Sequence, residues 1–555
     1  MNKKVCSFPI LFALLALLIG TCAVVFPASA QAAPTSTGSI TVSGTVARSY
    51  DAYQIFSANV VDGDSDAKIA TDLAWASDAV RDAALPVLHS AGMPKSQTTA
   101  QEAAEWLNTD SHLTSALSAQ LARSLQSSGA VSVALNAGTA AELPRGYWLI
   151  VADDDAIVQG EAGTAPIMVL VGGSAVTVKP KAATPKVQKH VLEDSTAAWQ
   201  KAADATVADD LYWRLSATVP AGLAAYDTYA VQFVDTMSAG LDPSKVAASV
   251  RVYVAAGADG GFDAVSAGKD GRAGTEPAKG WTDITAQCAT KVAADGTFTV
   301  RTSDLIAALG GADAFTAGAR VVAVYNAPLN SACNHGIAKG NPNEVYLRYP
   351  RSPFADQSGD AGFTRTPSDD ACAYTWDLAL TKRGSDGDKP LAGAVLSIAD
   401  DRGRTLAADG TWDAEGKATV TTGDDGRVTV SGVDSGKLEV RELKAPKGYT
   451  AFEGTRSVTV KAEGLDVDQV AAAKPKLTIT AESPLRADSA DGSTGSLEAS
   501  LINTPTGTPP SITTGGFMPS TGDMAMYAAA AAAVAGAALI VVALLVKRGG
   551  GSHKE

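Results

Sequence analysis

The chain has 555 residues, 45 Lys+Arg against 59 Asp+Glu, and a formal net charge of −14. The first 30 residues carry +2 and residues 522–555 carry +1, leaving −17 on the body between them; that sign excludes a nucleic-acid binder, which needs basic surface to displace counterions, and electrostatic docking on anionic lipid. Hydrophobic residues at 46% and charged residues at 19% exclude global disorder, and the length predicts three to four domains.

The N-terminus carries Lys3 and Lys4, an apolar run from Ile10 to Phe26, and then Ala28-Ser29-Ala30. A basic start, an apolar middle and small residues before the cut predict a secretory signal peptide over 1–30. Cys22 is a lipid-attachment alternative that the preceding Thr21 disfavours.

Residues 36–180 read as one domain. Gly38–Val42 is a strand pattern. Trp106, Leu113, Leu117, Leu121 and Leu125 fall at helical spacing and predict one amphipathic helix over Ala103–Leu125. Leu143–Val151 reads as a turn into a strand. Ala175–Val178 closes the domain just before Lys179-Pro180-Lys181.

Residues 184–355 carry short strand patterns at Tyr212–Thr218, Tyr229–Val234, Val250–Val254, Phe298–Arg301, Ala319–Tyr325 and Glu344–Tyr349. Residues 374–504 repeat the style at Trp376–Thr381, Ala394–Ile398, Ala418–Thr421, Val428–Ser431, Leu438–Glu442 and Leu497–Asn503. Short strands separated by turn signals predict a β-sandwich in each. The expected fold class is mostly β: tandem immunoglobulin-like sandwiches behind an N-terminal domain with an added helix. The Asp-rich stretch 255–280, with Asp259, Asp263 and Asp270, misses the EF-hand spacing and reads as a solvated hairpin loop.

Cys6 and Cys22 leave with the signal peptide. Cys288, Cys333 and Cys372 remain; three cannot all pair internally, and none shows metal-ligand spacing. His89, His112, His190 and His335 are scattered, and no Gly-x-Ser-x-Gly, His-Glu-x-x-His or phosphate loop occurs. Neither an enzyme acting on external substrate nor a metal or cofactor is expected.

The C-terminus has a Pro-rich spacer over 505–516, then Met518-Pro519-Ser520-Thr521-Gly522. Next comes an uncharged run of 23 residues, Met524–Val546, long enough to span a bilayer, followed by Lys547 and Arg548.

Strand alternation makes polar residues on apolar faces visible. Lys189 shares a face with Val187 and Val191, Asp235 with Val231 and Phe233, and Asn343 with Val345 and Leu347. The third unit repeats the order: Lys382 follows Leu378 and Leu380, Glu442 follows Leu438 and Val440, and Asn503 follows Ala499 and Leu501. Any one of these residues alone reads as a strand end reaching solvent. The same Lys, acid, Asn order twice points to chemistry. Burial lowers a lysine pKa and raises a carboxylic acid pKa. A neutral amine can then attack the Asn carbonyl while the acid polarises it and relays a proton to the departing ammonia. The expected products are the bonds Lys189–Asn343, assisted by Asp235, and Lys382–Asn503, assisted by Glu442.

Leu438 to Tyr449 resembles the E-box of the collagen-adhesin B-type (SpaA-like) repeat, matching at Glu442 and at Ala445-Pro446-x-Gly448-Tyr449. Pro390–Ala394 is similar to that family's opening region, and Asn503-Thr504-Pro505 to its closing strand. Gly340–Leu347 resembles the closing strand of the fimbrial isopeptide-forming domain. Val176–Lys181 is similar to the pilin motif, with Lys179 in place of Tyr. Met518–Gly522, followed by the apolar span and basic tail of 518–555, resembles a sortase sorting signal with Met518 in place of Leu. Together these resemble the major (backbone) subunits of sortase-assembled Gram-positive pili. The resemblance implies a secreted, wall-anchored fimbrial shaft protein supporting adhesion. It implies cleavage between Thr521 and Gly522 by pilin-specific and housekeeping sortases. Its partners would be identical subunits, minor pilins and peptidoglycan, with no host ligand specified. The acceptor lysine by motif is Lys181, with Lys179 and Lys186 as competitors. A monomeric wall-anchored adhesin, or a minor base or tip pilin, is the alternative.

Overall fold

The computed structural model describes residues 36–44, 48–63, 67–109, 111–153, 157, 159–180, 184–220, 223–257 and 279–507. The expected signal peptide, Lys181, most of the Asp-rich loop, most of the Pro-rich spacer, the motif Met518–Gly522 and the run Met524–Val546 lie outside them. Among the described residues no helix is long and apolar enough to cross a membrane.

The chain is mostly β. In the first unit, strands Ser49–Asp62 and Gly146–Ala152 lie at the centre of a five-stranded sheet. A smaller sheet pairs Thr37–Val42 antiparallel with Ala140–Pro144 and parallel with Val176–Val178. The single helix expected over Ala103–Leu125 is two helices, Ala100–Asn108 and Ser115–Ser128. The run Asn108-Thr109-Asp110-Ser111 is rich in short polar side chains that compete for backbone groups. Thr114 then starts the second helix by accepting from Leu117 N. Thr99 and Glu102 close a capping box on the first. A third helix, Asp78–Ser90, carries a weak apolar signal because half of its buried face is alanine: Val80, Ala83, Ala84 and Leu88.

The second unit is a sandwich of a six-stranded and a seven-stranded sheet. Strands Val187–Glu193, Tyr212–Thr218, Arg320–Asn326 and Arg251–Ala255 run side by side in one sheet. Asp369–Tyr374, Asn341–Pro350, Gln232–Met237 and Thr297–Thr302 run side by side in the other. Between them Trp213, Leu215, Phe233, Phe298, Val321 and Leu347 are buried. The strand expected over Tyr229–Val234 begins three residues later, at Gln232. The intervening N–H groups are taken by side chains instead: Tyr229 N donates to Asp304, Ala230 N to Gln357 and Val231 N to Thr302. The shift leaves Asp235 well inside the strand. Strands Arg251–Ala255 and Trp281–Asp283 pair antiparallel, as a hairpin at the Asp-rich stretch requires.

The third unit is a second sandwich. Trp376–Gly384 lies between Arg427–Val433 and Ser496–Pro505, antiparallel to the first and parallel to the second. The facing sheet is centred on Val395–Ala399, Gly436–Lys444 and Thr455–Glu463.

Polar contacts hold the second and third units together. Trp376 Nε1 donates to Asp204 Oδ2 at 2.7 Å, and Ser435 N donates to the same oxygen at 2.9 Å. Arg404 forks onto Asp209 with bonds of 2.5 and 2.7 Å. Glu193, Asp194 and Asp434 crowd Asp204. Burial, then the Asp204 charge, pushes Glu193 up to about 8, and the same two causes raise Asp434. Asp434 belongs to the third unit and the charges that raise it belong to the second, so it binds its proton more tightly docked than undocked. Its contribution is full below its ordinary value of 3.8 and is lost as pH rises through its raised value. The junction should therefore loosen as pH rises. Hydrogen exchange of the Ser435 amide is the measurement; exchange, after correction for intrinsic rate, should be slower at pH 5.5 than at pH 8.5.

Candidate functional site

Lys189 is the third residue of strand Val187–Glu193 and faces inward with Val187 and Val191. Asp235 and Asn343 reach it from the opposite sheet. Their strands are antiparallel neighbours, in register Asp235↔Val345 and Met237↔Asn343. All three residues are completely buried. Lys189 Nζ contacts Asp235 Oδ2 and lies 2.9 Å from Tyr325 Oη. It also sits 5.5 Å from the ring centres of Trp213 and Tyr325, an orientation that favours the cation. Tyr325 Oη donates to Asp235 Oδ2 at 3.0 Å and accepts from Asn343 Nδ2 at 2.8 Å. One hydroxyl thus touches all three reactive residues. Among the described residues, Asp235 Oδ1 and Asn343 Oδ1 have no hydrogen-bond partner.

The electrostatics follow from burial. Burial pushes the Lys189 amine down to about 8, against the pull of Asp235. Burial pushes Asp235 up, against the pull of Lys189. Both directions favour the neutral amine and the neutral acid. Burial and the adjacent Asp235 charge raise the Tyr325 phenol well above its ordinary value, which keeps it a hydrogen-bond donor.

The third unit assembles the same three residue types from a different pair of strands. Lys382 and Asn503 sit on parallel neighbours, in register Lys382↔Leu501 and Gly384↔Asn503. Glu442 reaches them from the facing sheet, on strand Gly436–Lys444. Lys382 is fully buried, and Asn503 and Glu442 nearly so. Lys382 Nζ is 3.4 Å from Glu442 Oε1 and donates to Leu501 O at 3.3 Å. Asn503 Nδ2 donates to both Glu442 oxygens, at 2.9 and 3.1 Å. Phe452 N donates to Glu442 Oε2 at 3.1 Å and fixes the carboxyl. Asn503 Oδ1 has no partner. Burial pushes Lys382 down to about 8.

The tertiary structure places Lys189, Asp235 and Asn343 in one core and Lys382, Glu442 and Asn503 in the other. Tyr325 was not legible: the face of Val321, Ala323 and Tyr325 marks its ring as core, and nothing in the pattern marks its hydroxyl. Two further buried lysines make a contrast. Lys68 donates to Ser174 O at 2.8 Å, and Lys201 contacts Asp369 and donates to Asp370 O at 3.1 Å. Neither has an amide side chain among these partners. Lys179 and Lys186 are exposed on either side of the residues outside the description.

In each triad a nucleophile, an amide carbonyl and an acid meet in a dry, rigid core. That arrangement can run amide exchange. The amine nitrogen bonds to the Asn Cγ, the Cγ–Nδ2 bond breaks, and the acid passes the amine's proton to the leaving ammonia. Fixed contact supplies an effective molarity of about 10⁵–10⁸ M for such a step.

Comparison with known proteins adds three findings. Residues 377–474 match the SpaA prealbumin-like fold domain family, and this span contains the E-box stretch Leu438–Tyr449. A stretch of 143 residues is 30% identical to the trypsin-resistant surface T6 protein of Streptococcus pyogenes serotype M6, covering 24% of this chain and 24% of that protein. The chain thus matches about a quarter of its curated relative's length. Among solved structures, the T6 backbone pilin of serotype M6 Streptococcus pyogenes aligns at 17% identity over 85% of this chain and 98% of its own, with a TM-score of 0.46. The full-length major pilin SpaD from Corynebacterium diphtheriae aligns at 15% identity over 86% and 100%, with a TM-score of 0.42.

Removing one partner of a buried charge pair strands the other. In an Asn343→Ala background, where no covalent bond can form, Asp235→Ala should destabilise the second unit by about 3–5 kcal/mol. Thermal unfolding of the double variant against Asn343→Ala alone measures this.

Proposed function

We propose that the chain is the repeating subunit of a covalent surface fibre, secreted and anchored to the cell wall of a Gram-positive bacterium. The observation that supports this most directly is the pair of buried Lys, acid and Asn clusters in consecutive sandwiches. In this reading Lys189 bonds to Asn343 and Lys382 to Asn503, each losing one ammonia. Asp235 and Glu442 are the assisting acids.

The placement of these bonds suits a load-bearing shaft. Lys382 and Asn503 lie on the first and last strands of the third unit, which are parallel neighbours. Tension on the two chain ends would shear that strand pair, and a bond between them carries the force past the rest of the sandwich. Lys189 lies on the first strand of its unit and Asn343 on a late strand of the opposite sheet, so the second bond clamps the two sheets face to face.

Polymerisation uses the chain ends. A sortase cuts between Thr521 and Gly522, holds Thr521 as an acyl-enzyme and transfers it to Lys181 of the next subunit. Strand Val176–Val178 pairs with Thr37–Val42 and stops at Val178. Pro180 cannot extend a ladder, so the chain leaves the sheet there. Repeating one head-to-tail contact generates an open fibre. The T6 protein, a surface protein by name, and the SpaA-family match both support this reading. The monomeric adhesin uses the same sorting signal but has no need of the acceptor lysine.

Two experiments test the proposal. Intact-mass analysis of the folded protein should find it two ammonia molecules lighter than its sequence mass, and Glu442→Ala should lose only one. The full unmodified mass would sink the internal bonds. In cell-wall extracts on denaturing gels, the wild type should give a ladder of covalent multimers. Lys181→Ala should abolish the ladder while monomer stays on the wall. A ladder lost only in Lys179→Ala or Lys186→Ala moves the junction to that residue. A ladder that survives all three substitutions favours the monomeric adhesin.

A further inference from the structure

A different set of reactive side chains meets at the boundary between the second and third units. Cys333 and His335 lie in the segment between strands Arg320–Asn326 and Asn341–Pro350, and Asp377 is the second residue of strand Trp376–Gly384. Cys333 Sγ is 3.6 Å from His335 Nε2. His335 Nδ1 is 2.8 Å from Asp377 Oδ1. Asp377 is itself fixed, because its Oδ1 accepts from Ser431 Oγ at 2.6 Å and from Gly432 N at 3.1 Å. The Cys333 segment is pinned as well: Cys333 N donates to Asn330 O, Asn334 N to Asn341 Oδ1 and Gly336 N to Thr375 O. Thiol and imidazole thus stand as a nucleophile and its base, and the Asp377 carboxylate lies beside Nδ1 at ion-pair distance, without a hydrogen bond between them.

Cys333 is a nearly buried residue at the edge of a cleft. Cys333 and His335 line a cleft of about 750 Å³ between the two units, with Lys245, Arg404 and Trp412 among its other walls. The remaining cysteines lack this arrangement: Cys288 Sγ donates to Ile284 O and Cys372 Sγ to Ala373 O. Burial, and then the Asp377 charge, pushes the Cys333 thiol up to about 11. It is therefore protonated in neutral solution and needs a base to react. The Asp377 carboxylate lies against Nδ1, and Nε2 is the ring nitrogen next to the thiol.

We propose that Cys333 is a thiol-modification site that captures small disulfides from the exterior as mixed disulfides, with His335 as its base and Asp377 as the positioning residue. As Sγ attacks one sulfur of R–S–S–R, its proton moves to His335 Nε2. The Sγ–S bond forms, the S–S bond breaks, and the leaving thiolate takes the proton from His335. One disulfide is consumed and one is made, so no further oxidant is needed. Base and orienting acid belong to different units, so the reactivity of Cys333 depends on the units remaining docked.

The test treats the intact protein with hydroxyethyl disulfide at neutral pH and follows adducts on each cysteine by peptide mass mapping. Cys333 should react at least about tenfold faster than Cys288 or Cys372, and His335→Gln should remove that advantage while leaving the other two rates unchanged. Asp377→Asn should slow Cys333 in the same way. Equal rates at the three cysteines, or an undiminished Cys333 rate in His335→Gln, overturns the proposal. The wild-type pH profile decides independently of whether the variants fold well. Base-assisted attack departs from the profile of an unassisted thiol, which accelerates about tenfold per pH unit up to its ionisation. The unassisted profile would overturn the proposal too.

Discussion

Two lysines held in dry sandwich cores are the constraint on which the second and third units depend. Taking an ammonium and a carboxylate out of water costs several kcal/mol per ion, and their mutual attraction repays this only when geometry and hydrogen bonding are good. Lys189 and Lys382 meet that condition by contact with one acid each. Neutralising the pair by moving a proton from amine to acid lowers the cost further, and it is also the step that makes the amine a nucleophile. What is awkward for stability is thus what suits the site to amide exchange. The proposed bond would remove the awkwardness permanently, since an amide in a core needs no counter-charge.

The two clusters reach one chemistry by different routes. In the second unit the lysine and the asparagine face each other across the sandwich, and the acid is on the strand next to the asparagine. In the third unit the lysine and the asparagine are on adjacent parallel strands, and the acid comes from the opposite sheet. The second unit adds the Tyr325 hydroxyl as a hub, whereas the third uses the Phe452 amide to hold its carboxyl. What the two share is only the local requirement: a lysine, an asparagine and an acid buried together.

Around these cores the units are joined by polar as well as apolar contacts: Ala202 and Cys372 of the second unit pack into the core of the third. The Asp204 carboxylate receives donors from Trp376 and Ser435, and Arg404 is locked to Asp209. The first and second units share polar contacts as well: Arg123 pairs with Asp227, and Tyr349 Oη donates to Glu161 O. The polar contacts are directional and sensitive to protonation. The Cys333, His335 and Asp377 cluster lies across the junction of the second and third units, and its alignment is one consequence of that docking.

Strand periodicity by itself determined much of this protein. Period two placed Lys189, Asp235, Asn343, Lys382, Glu442 and Asn503 on apolar faces, and all six are buried. It worked because a strand fixes side-chain direction residue by residue, so a polar residue among apolar neighbours is exposed by counting. The same counting failed where direction is set by other means. The helix expected over Ala103–Leu125 broke at its polar turn, and the strand expected from Tyr229 started late because side chains took its first three N–H groups. Only the tertiary structure decided which lysine meets which asparagine, that Tyr325 joins them, and that Asp377 stands behind His335. These are meetings between strands and segments far apart in the chain. Periodicity says which way a side chain points but not what it meets there, because the partner is chosen by sheet order and by how the units dock.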